Sequence, residues 1–406
     1  MKNLLSGAIV CALAFGTSLA TAAGATITVT HDLDIARPAQ VVSIPFAEIA
    51  ALIPEARMYH LVVRDANGKA LTLQVTNYEH DHRGVKYDDL VFSYDFKAGE
   101  KRVRFTLENL AATTPPEPAC VYARFIPERF DDMAWENDRI AHRMYGATLN
   151  TPAATFERLR GSGIDVWGKR VTFPVVDRWY QKGHDQFHKD GEGEGLDLYS
   201  IGGARGDGGT GIWDGAKLWT SDNFRKAQVL SNGPRRAAFT LDYAPFEIAQ
   251  GASVSSVKRF TVDCGVNFDA LSETFSFAGA VPLTAGIGIT EHKKGASDPD
   301  AVLTRDSAGR WLSLWEQNAD GGLGTAVILA NDAAPAGYAH DSPDDSGKSN
   351  HLLLVKVYDK GPLNYYAGAG WTGSWQFADR AAWETYVKEF AARIAHPLAI
   401  QLSARP

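Results

Sequence analysis

The sequence has 406 residues, 45% hydrophobic and 22% charged, with a formal net charge of -7. That length accommodates two domains. The mildly acidic balance, with no recurring basic cluster, excludes nucleic acid as a partner.

Met1-Lys2, an apolar run over residues 4–19 and Ala20-Thr21-Ala22 describe a cleavable signal peptide over residues 1–22, so the chain is expected to be exported, periplasmic or secreted. The run is too short to span a membrane, which needs about 20 residues, and no later segment is apolar enough for membrane insertion. Cys11 falls inside it, which leaves Cys120 and Cys264. In an oxidising compartment these two either pair or stay as separate buried thiols.

From residue 25 the pattern is β. Residues 26–30, 60–63, 71–75, 91–94 and 102–107 alternate or carry strand-forming side chains, and Asp65-Ala66-Asn67-Gly68 is a hairpin signal. Short strands at this spacing predict a small N-terminal β-sandwich over residues 23–110. A single helical hint, residues 46–52, stops before Pro54. Residues 111–119, with Pro115-Pro116, read as an extended linker to a second domain over residues 120–406.

That domain begins with a predicted strand over residues 139–145. Its period places Ile140, His142 and Met144 on one face and Arg139, Ala141, Arg143 and Tyr145 on the other. The glycine-rich stretch over residues 180–213 follows. Each glycine costs a helix about 1 kcal/mol relative to alanine and a flat strand gains nothing from it, so long loops are predicted. Strand-like runs then cover residues 237–241, 256–262, 271–277, 283–289, 311–315, 324–329 and 352–357. With no helices between them they make an all-β fold, a large antiparallel β-sandwich. Residues 333–350 read as a loop. One late helix is marked by Trp383, Val387, Phe390 and Ile394, capped by Asp379 and ended by Pro397.

Chemistry is expected in the glycine-rich stretch. His184, His188, Asp190, Glu192, Glu194 and Asp197 would converge there, and His184, Asp190 and Glu192 suit a divalent cation such as calcium. The bland alternative is a solvated acidic loop. His142 is either a hydrogen-bonded core histidine or part of a site, since Glu136, Asp138, Arg139, Arg143 and Tyr145 surround it in sequence. Arg139, Arg143, Lys169 and Arg170 are candidate substrate contacts, because an arginine fork binds a uronate carboxylate through two hydrogen bonds. Trp213 and Trp371, each following glycines, offer faces on which sugar rings stack, which points to an oligosaccharide partner. The sequence sets no oligomeric state.

Longer motifs sharpen this. Residues 124–138, Gly163-Ile164-Asp165-Val166-Trp167, Gly193-Glu194-Gly195-Leu196-Asp197, Gly208-Gly209-Thr210-Gly211-Ile212-Trp213 and Ala367-Gly368-Ala369-Gly370-Trp371 resemble the bacterial family catalogued as domain of unknown function 4861. The resemblance implies a neighbourhood of polysaccharide-degrading genes and the β-sandwich shared by galactose mutarotases and polysaccharide lyases. The family's central motif places either His184 or His188 at its histidine position. The expected activity is β-elimination on uronic-acid-containing oligosaccharides. His188 or His142 would be the base, Tyr145 the acid, and Arg143 or Arg170 the carboxylate clamp. The alternatives are a glycoside hydrolase using Glu194 and Asp197, or a non-catalytic glycan-binding or mutarotase-like protein. In the single-site expectation, the loops over residues 184–197 fold over the strand that carries His142.

Overall fold

The computed structural model describes residues 24–79, 86–154, 158–183, 187–292, 301–341 and 347–405. The expected signal peptide and His184 lie outside them. The chain is all-β, built as a small sandwich followed by a large one, with three α-helices among the described residues: α1 (Phe46–Leu52), α2 (Val176–Lys182) and α3 (Arg380–Ala395).

The small sandwich follows from strict alternation. In Arg102–Asn109, Val103, Phe105 and Leu107 turn inward while Arg102 and Arg104 stay exposed. Phe105 and Phe92 meet edge to face across the two sheets, and α1 closes one side with Phe46 and Ile49. The five-stranded sheet runs Ala399–Ala404, Gly24–Thr30, Arg102–Asn109, Leu61–Arg64, Ala70–Leu71. The division at residue 110 therefore leaves out one member. The last strand, Ala399–Ala404, pairs antiparallel with Gly24–Thr30, because Pro397 ends α3 and sends the chain back along that open edge.

The large sandwich packs an eight-stranded sheet on a five-stranded one. The first runs Lys226–Ser231, Arg236–Glu247, Ser253–Asp263, Phe268–Phe277, Pro362–Trp371, Gly321–Leu329, Trp311–Asn318, Val302–Asp306. The second runs Leu218–Trp219, Asp207–Trp213, Leu283–Glu291, Ser349–Val357, Pro335–Asp341. Phe239, Phe260, Leu271, Ile287, Leu312, Val327 and Leu353 fill the space between them. Helix α3 lies on the eight-stranded sheet, burying Trp383, Val387 and Ala391 against Phe268, Trp311 and Ile328. As its sequence indicates, the Asp379 side chain caps it by accepting from the Ala382 amide at 2.9 Å. Gly324 makes this contact possible, since a Cβ there would sit 2.3 Å from the Trp383 ring. Cys120 and Cys264 are disulfide-bonded, tying the start of the large domain to the end of Ser253–Asp263.

Two loop expectations are corrected. Residues 333–350 contain the edge strand Pro335–Asp341. The glycine-rich stretch holds the end of α2 and two strands, Gly195–Asp197 and Asp207–Trp213. The glycines in and beside its second strand serve close approach: a Cβ at Gly209 would lie 2.4 Å from the Arg205 carbonyl oxygen.

A third sheet holds several of the candidate site residues: Gly195–Asp197, Asp165–Lys169, Ile140–Met144, Asp132–Glu136, Tyr122–Ile126. Its middle three strands are buried along their whole length. One face, with Met133, Trp135 and Met144, joins the sandwich core. The other face is covered by α2 and Phe187, which pack on Ala134, Ala141 and Trp167.

Candidate acid–base centre

The covered face of the third sheet is polar in the middle. Arg143 stands opposite Asp165 and Ala134, while Trp167 stands opposite Ala141 and Asp197. A two-residue period then brings Asp132, Arg143, Tyr145, Asp165 and Asp197 to one side. Arg143 Nε lies 2.9 Å from Asp132 Oδ2, and its Nη1 lies 4.0 Å from Asp197 Oδ2. The guanidinium also sits 5.0 Å over the Tyr145 ring. From α2, the Tyr180 hydroxyl donates to Asp132 Oδ2 at 3.4 Å. From the segment after α2, His188 places Nδ1 3.5 Å from Asp197 Oδ2. The Arg143 and Asp197 side chains are 3% and 4% exposed, whereas that of His188 is 40% exposed. His188 is where this centre meets solvent.

Burial and neighbouring charges shift the proton affinities. Burial, and then the neighbouring Asp197 carboxylate, push Asp165 well above the usual carboxylate range. Burial also raises Asp132 in spite of Arg143 and Arg129. Tyr145 is raised well above its ordinary value, by burial first and by Asp165 second. Burial works against the charge on Arg143, yet the carboxylates, Asp132 foremost, hold its proton firmly. A raised Asp165 carboxyl beside the Asp197 carboxylate, protonated tyrosines and a fixed cation offers the parts of an acid–base set.

His142 does not belong to it. On the opposite face it stacks on Trp135, ring centroids 5.3 Å apart, with Nδ1 3.5 Å from Asp269 Oδ2. Trp135 Nε1 donates to the same oxygen at 2.6 Å. Burial lowers His142 to about 3 and raises Asp269 to about 7. A neutral, stacked imidazole inside the sandwich is a core residue. The structure thus brings Arg143, Tyr145, Asp197 and His188 together and puts His142 on the other face of the sheet, because adjacent residues of a strand face opposite ways.

Lys169 is also displaced from the role read for it. Its Nζ contacts Glu136 Oε2 at 2.5 Å and the Asn137 carbonyl at 2.6 Å, and both side chains of the ion pair are 1% exposed. Glu136 in turn accepts from the Val175 and Val176 amides, each at 2.8 Å to Oε1, at the start of α2. The pair anchors that helix and is sealed from any sugar. Arg139 is half exposed beside Asp138, and Trp213 packs near Leu218 and Leu352 on a sheet of the large sandwich.

Asp190, Glu192 and Glu194 of the glycine-rich stretch each meet a cation. Asp190 pairs with Arg170, and Glu192 lies 2.7 Å from Lys182. Glu194 contacts Arg178 at 2.5 Å and accepts from Trp179 Nε1 at 3.1 Å. Asp190 and Glu192 are thus engaged by positive side chains and do not form the oxygen cage that calcium requires. Glu194 and Asp197 fall into two different networks, and Asp165 is the carboxyl that the Asp197 charge raises. Near this rim Arg170 lies 4.6 Å over the Trp371 ring and 5.8 Å over Trp375. Trp371 itself is buried; Trp375 is 78% exposed, and Phe173, under Arg178, is also exposed. A cleft of about 880 Å³ lies elsewhere, between the small sandwich and the linker, lined by Tyr59, Leu73 and Pro115 among others.

Asp132, Asp165 and Tyr180 were not singled out from sequence. The period-2 run Asp165, Trp167, Lys169 was the available signal.

The family described as Domain of unknown function (DUF4861) matches residues 29–400. The chain belongs to this family. A relative in Formosa agariphila, "Uncharacterized protein P7", is 29% identical over 388 residues, covering 93% of each chain. Among solved structures, an alpha-mannosidase from Enterococcus faecalis V583 matches with a TM-score of 0.51 at 10% identity, over 94% of this chain and 46% of that one. A second Enterococcus faecalis protein, of glycosyl hydrolase family 38, matches with a TM-score of 0.50 at 10% identity, over 94% and 48%. This chain spans about half the length of those two, and at that identity the likeness is one of fold. This member of the DUF4861 family is thus an all-β sandwich.

Proposed function

We propose that this DUF4861 protein is an exported carbohydrate-active enzyme that cleaves uronic-acid-containing oligosaccharides by β-elimination. The observation that carries the reading is His188: half exposed, held by Asp197, and set above sealed groups that retain their protons. In the proposed step, His188 takes the C5 proton and the electron pair forms the C4–C5 double bond. The C4–oxygen bond breaks, and the departing oxygen is protonated from the Tyr145 side. Arg170 and Arg178 at the rim supply forks for the sugar carboxylate, where Glu192, itself half exposed, is an exchangeable partner. Trp375 and Phe173 present faces for the rings. The fold likeness to glycoside-cleaving proteins supports the carbohydrate class, and the Cys120–Cys264 disulfide supports export to an oxidising compartment.

A second reading rests on the Asp165–Asp197 pair. A raised Asp165 is suited to a general acid and Asp197 to its carboxylate partner, which is glycoside hydrolysis. Incubation with uronate glycans separates the two. New ultraviolet absorbance from an unsaturated uronate, lost in His188→Ala, is the expected result. Cleavage without that absorbance, lost in Asp165→Asn, replaces elimination with hydrolysis. Glycan binding without turnover in the parent leaves a binding protein.

A further inference from the structure

At one end of the large sandwich, far along the chain from the centre above, three strands bring two imidazoles and a carboxylate together. His340 of Pro335–Asp341 stands directly opposite His351 of Ser349–Val357 in the antiparallel ladder. In the next strand, Leu283–Glu291, Ile289 is opposite His351 and Glu291 is opposite Ser349. Glu291 is therefore the diagonal neighbour of His351 on the same face, within reach of a long side chain. Glu291 Oε2 lies 2.9 Å from His351 Nε2 and 3.8 Å from His340 Nε2, and the two imidazole centroids are 4.9 Å apart. One ligand atom from each residue falls within 4.8 Å of the others.

Zinc bonds of about 2.0–2.1 Å in tetrahedral array place neighbouring ligand atoms about 3.3 Å apart. The two measured separations fall on either side of that value, so small side-chain rotations suffice. The geometry points to a binding site for one divalent ion of the zinc class, held by Glu291, His340 and His351. Two imidazoles with one carboxylate suit zinc and its transition-metal neighbours, whereas calcium and magnesium want oxygen ligands. The His340 side chain is 47% exposed and that of His351 12%. The fourth coordination position therefore opens to solvent on the His340 side, where a water completes the tetrahedron. Arg305 is a nearby cation that opposes binding. Ser349 Oγ donates to Glu291 Oε2 at 3.5 Å and steadies the carboxylate.

All three ligands sit on strands, and one of these strands is the sheet's edge. Bound metal would staple Pro335–Asp341 to the two strands beside it. Among the described residues, a second three-residue set with suitable side chains, Cys120, Asp138 and Cys264, has its sulfurs locked in the disulfide and offers no thiolate.

The test is a calorimetric titration of the chelator-stripped full-length protein with zinc chloride, with calcium chloride run in parallel. The expected result is one zinc per chain, a melting temperature that rises with zinc, and no saturable calcium binding. His340→Ala and His351→Ala should each weaken zinc binding at least 100-fold, and His188→Ala should leave it unchanged. Because His340 is half exposed, His340→Ala should melt like the metal-free parent, which separates ligand loss from misfolding. The proposal is overturned by any of three outcomes: no saturable zinc binding, a zinc site that survives His340→Ala with His351→Ala, or calcium bound as tightly as zinc.

Discussion

Replacing Lys169 by methionine tests whether this lysine is an anchor or a substrate contact. The substitution keeps the length of the side chain and removes its charge, leaving the Glu136 carboxylate 1% exposed with two backbone amides as its partners. Breaking a buried ion pair from one side typically costs about 3–5 kcal/mol. The surviving amide bonds at the start of α2 offset part of that, so about 3 kcal/mol is expected. The double variant Glu136→Gln, Lys169→Met carries no orphaned charge and should lose only about 1–2 kcal/mol. The non-additivity, roughly 2 kcal/mol or more relative to the single variants, is the quantity to measure. Urea unfolding followed by tryptophan fluorescence gives it directly, since Trp135, Trp167 and Trp179 surround the pair's sheet and helix. The reasoning fails if Lys169→Met unfolds at the same urea concentration as the parent but shows a raised KM. That result would return Lys169 to the substrate.

His188→Ala should lower turnover by about 10²–10⁴-fold, the usual worth of a general base, without moving the unfolding midpoint; an unchanged kcat on a cleaved glycan would remove His188 from the mechanism. Asp269 binds its proton more tightly in the folded chain, at about 7 against 3.8 in the unfolded one. Its contribution to stability is therefore complete below pH 3.8 and is lost as the pH rises through 7. Asp269→Asn should match the parent near pH 4 and exceed it above pH 7 by up to roughly 4 kcal/mol, at 1.36 kcal/mol per pH unit; equal chemical stability of the two proteins at pH 8 would contradict the assignment. Cys120→Ala with Cys264→Ala opens a loop closed over a separation of 144 residues. Chain entropy sets the loss at about 5 kcal/mol as an upper figure, with 2–4 kcal/mol typical, read as a drop in denaturation midpoint under non-reducing conditions and none between the reduced forms.

Much of the architecture is written locally. A period of two marks Arg102–Asn109 and Ser253–Asp263 as half-buried strands, because successive side chains of an extended backbone must point to opposite faces. Asp379 and Pro397 bracket α3 for reasons contained within one turn of helix. The same local rule shows that His142 and Arg143 face opposite ways. It does not say which face meets the apolar core, and so it leaves His142 open between core and site. That choice belongs to the packing of Trp135, Phe239 and Phe260, which claims the His142 side for the sandwich interior. Asp132, Asp165 and Asp197 come together only because four strands pair in one register beneath α2, and His340 meets His351 only across a ladder. The return of Ala399–Ala404 to the first strand of the chain is likewise invisible locally, since its alternation fits any open edge. Spacing within a strand is a property of the backbone and is legible residue by residue. Which strands pair, and in what register, is decided by burial summed over the whole sheet, and the candidate acid–base centre is assembled only at that level.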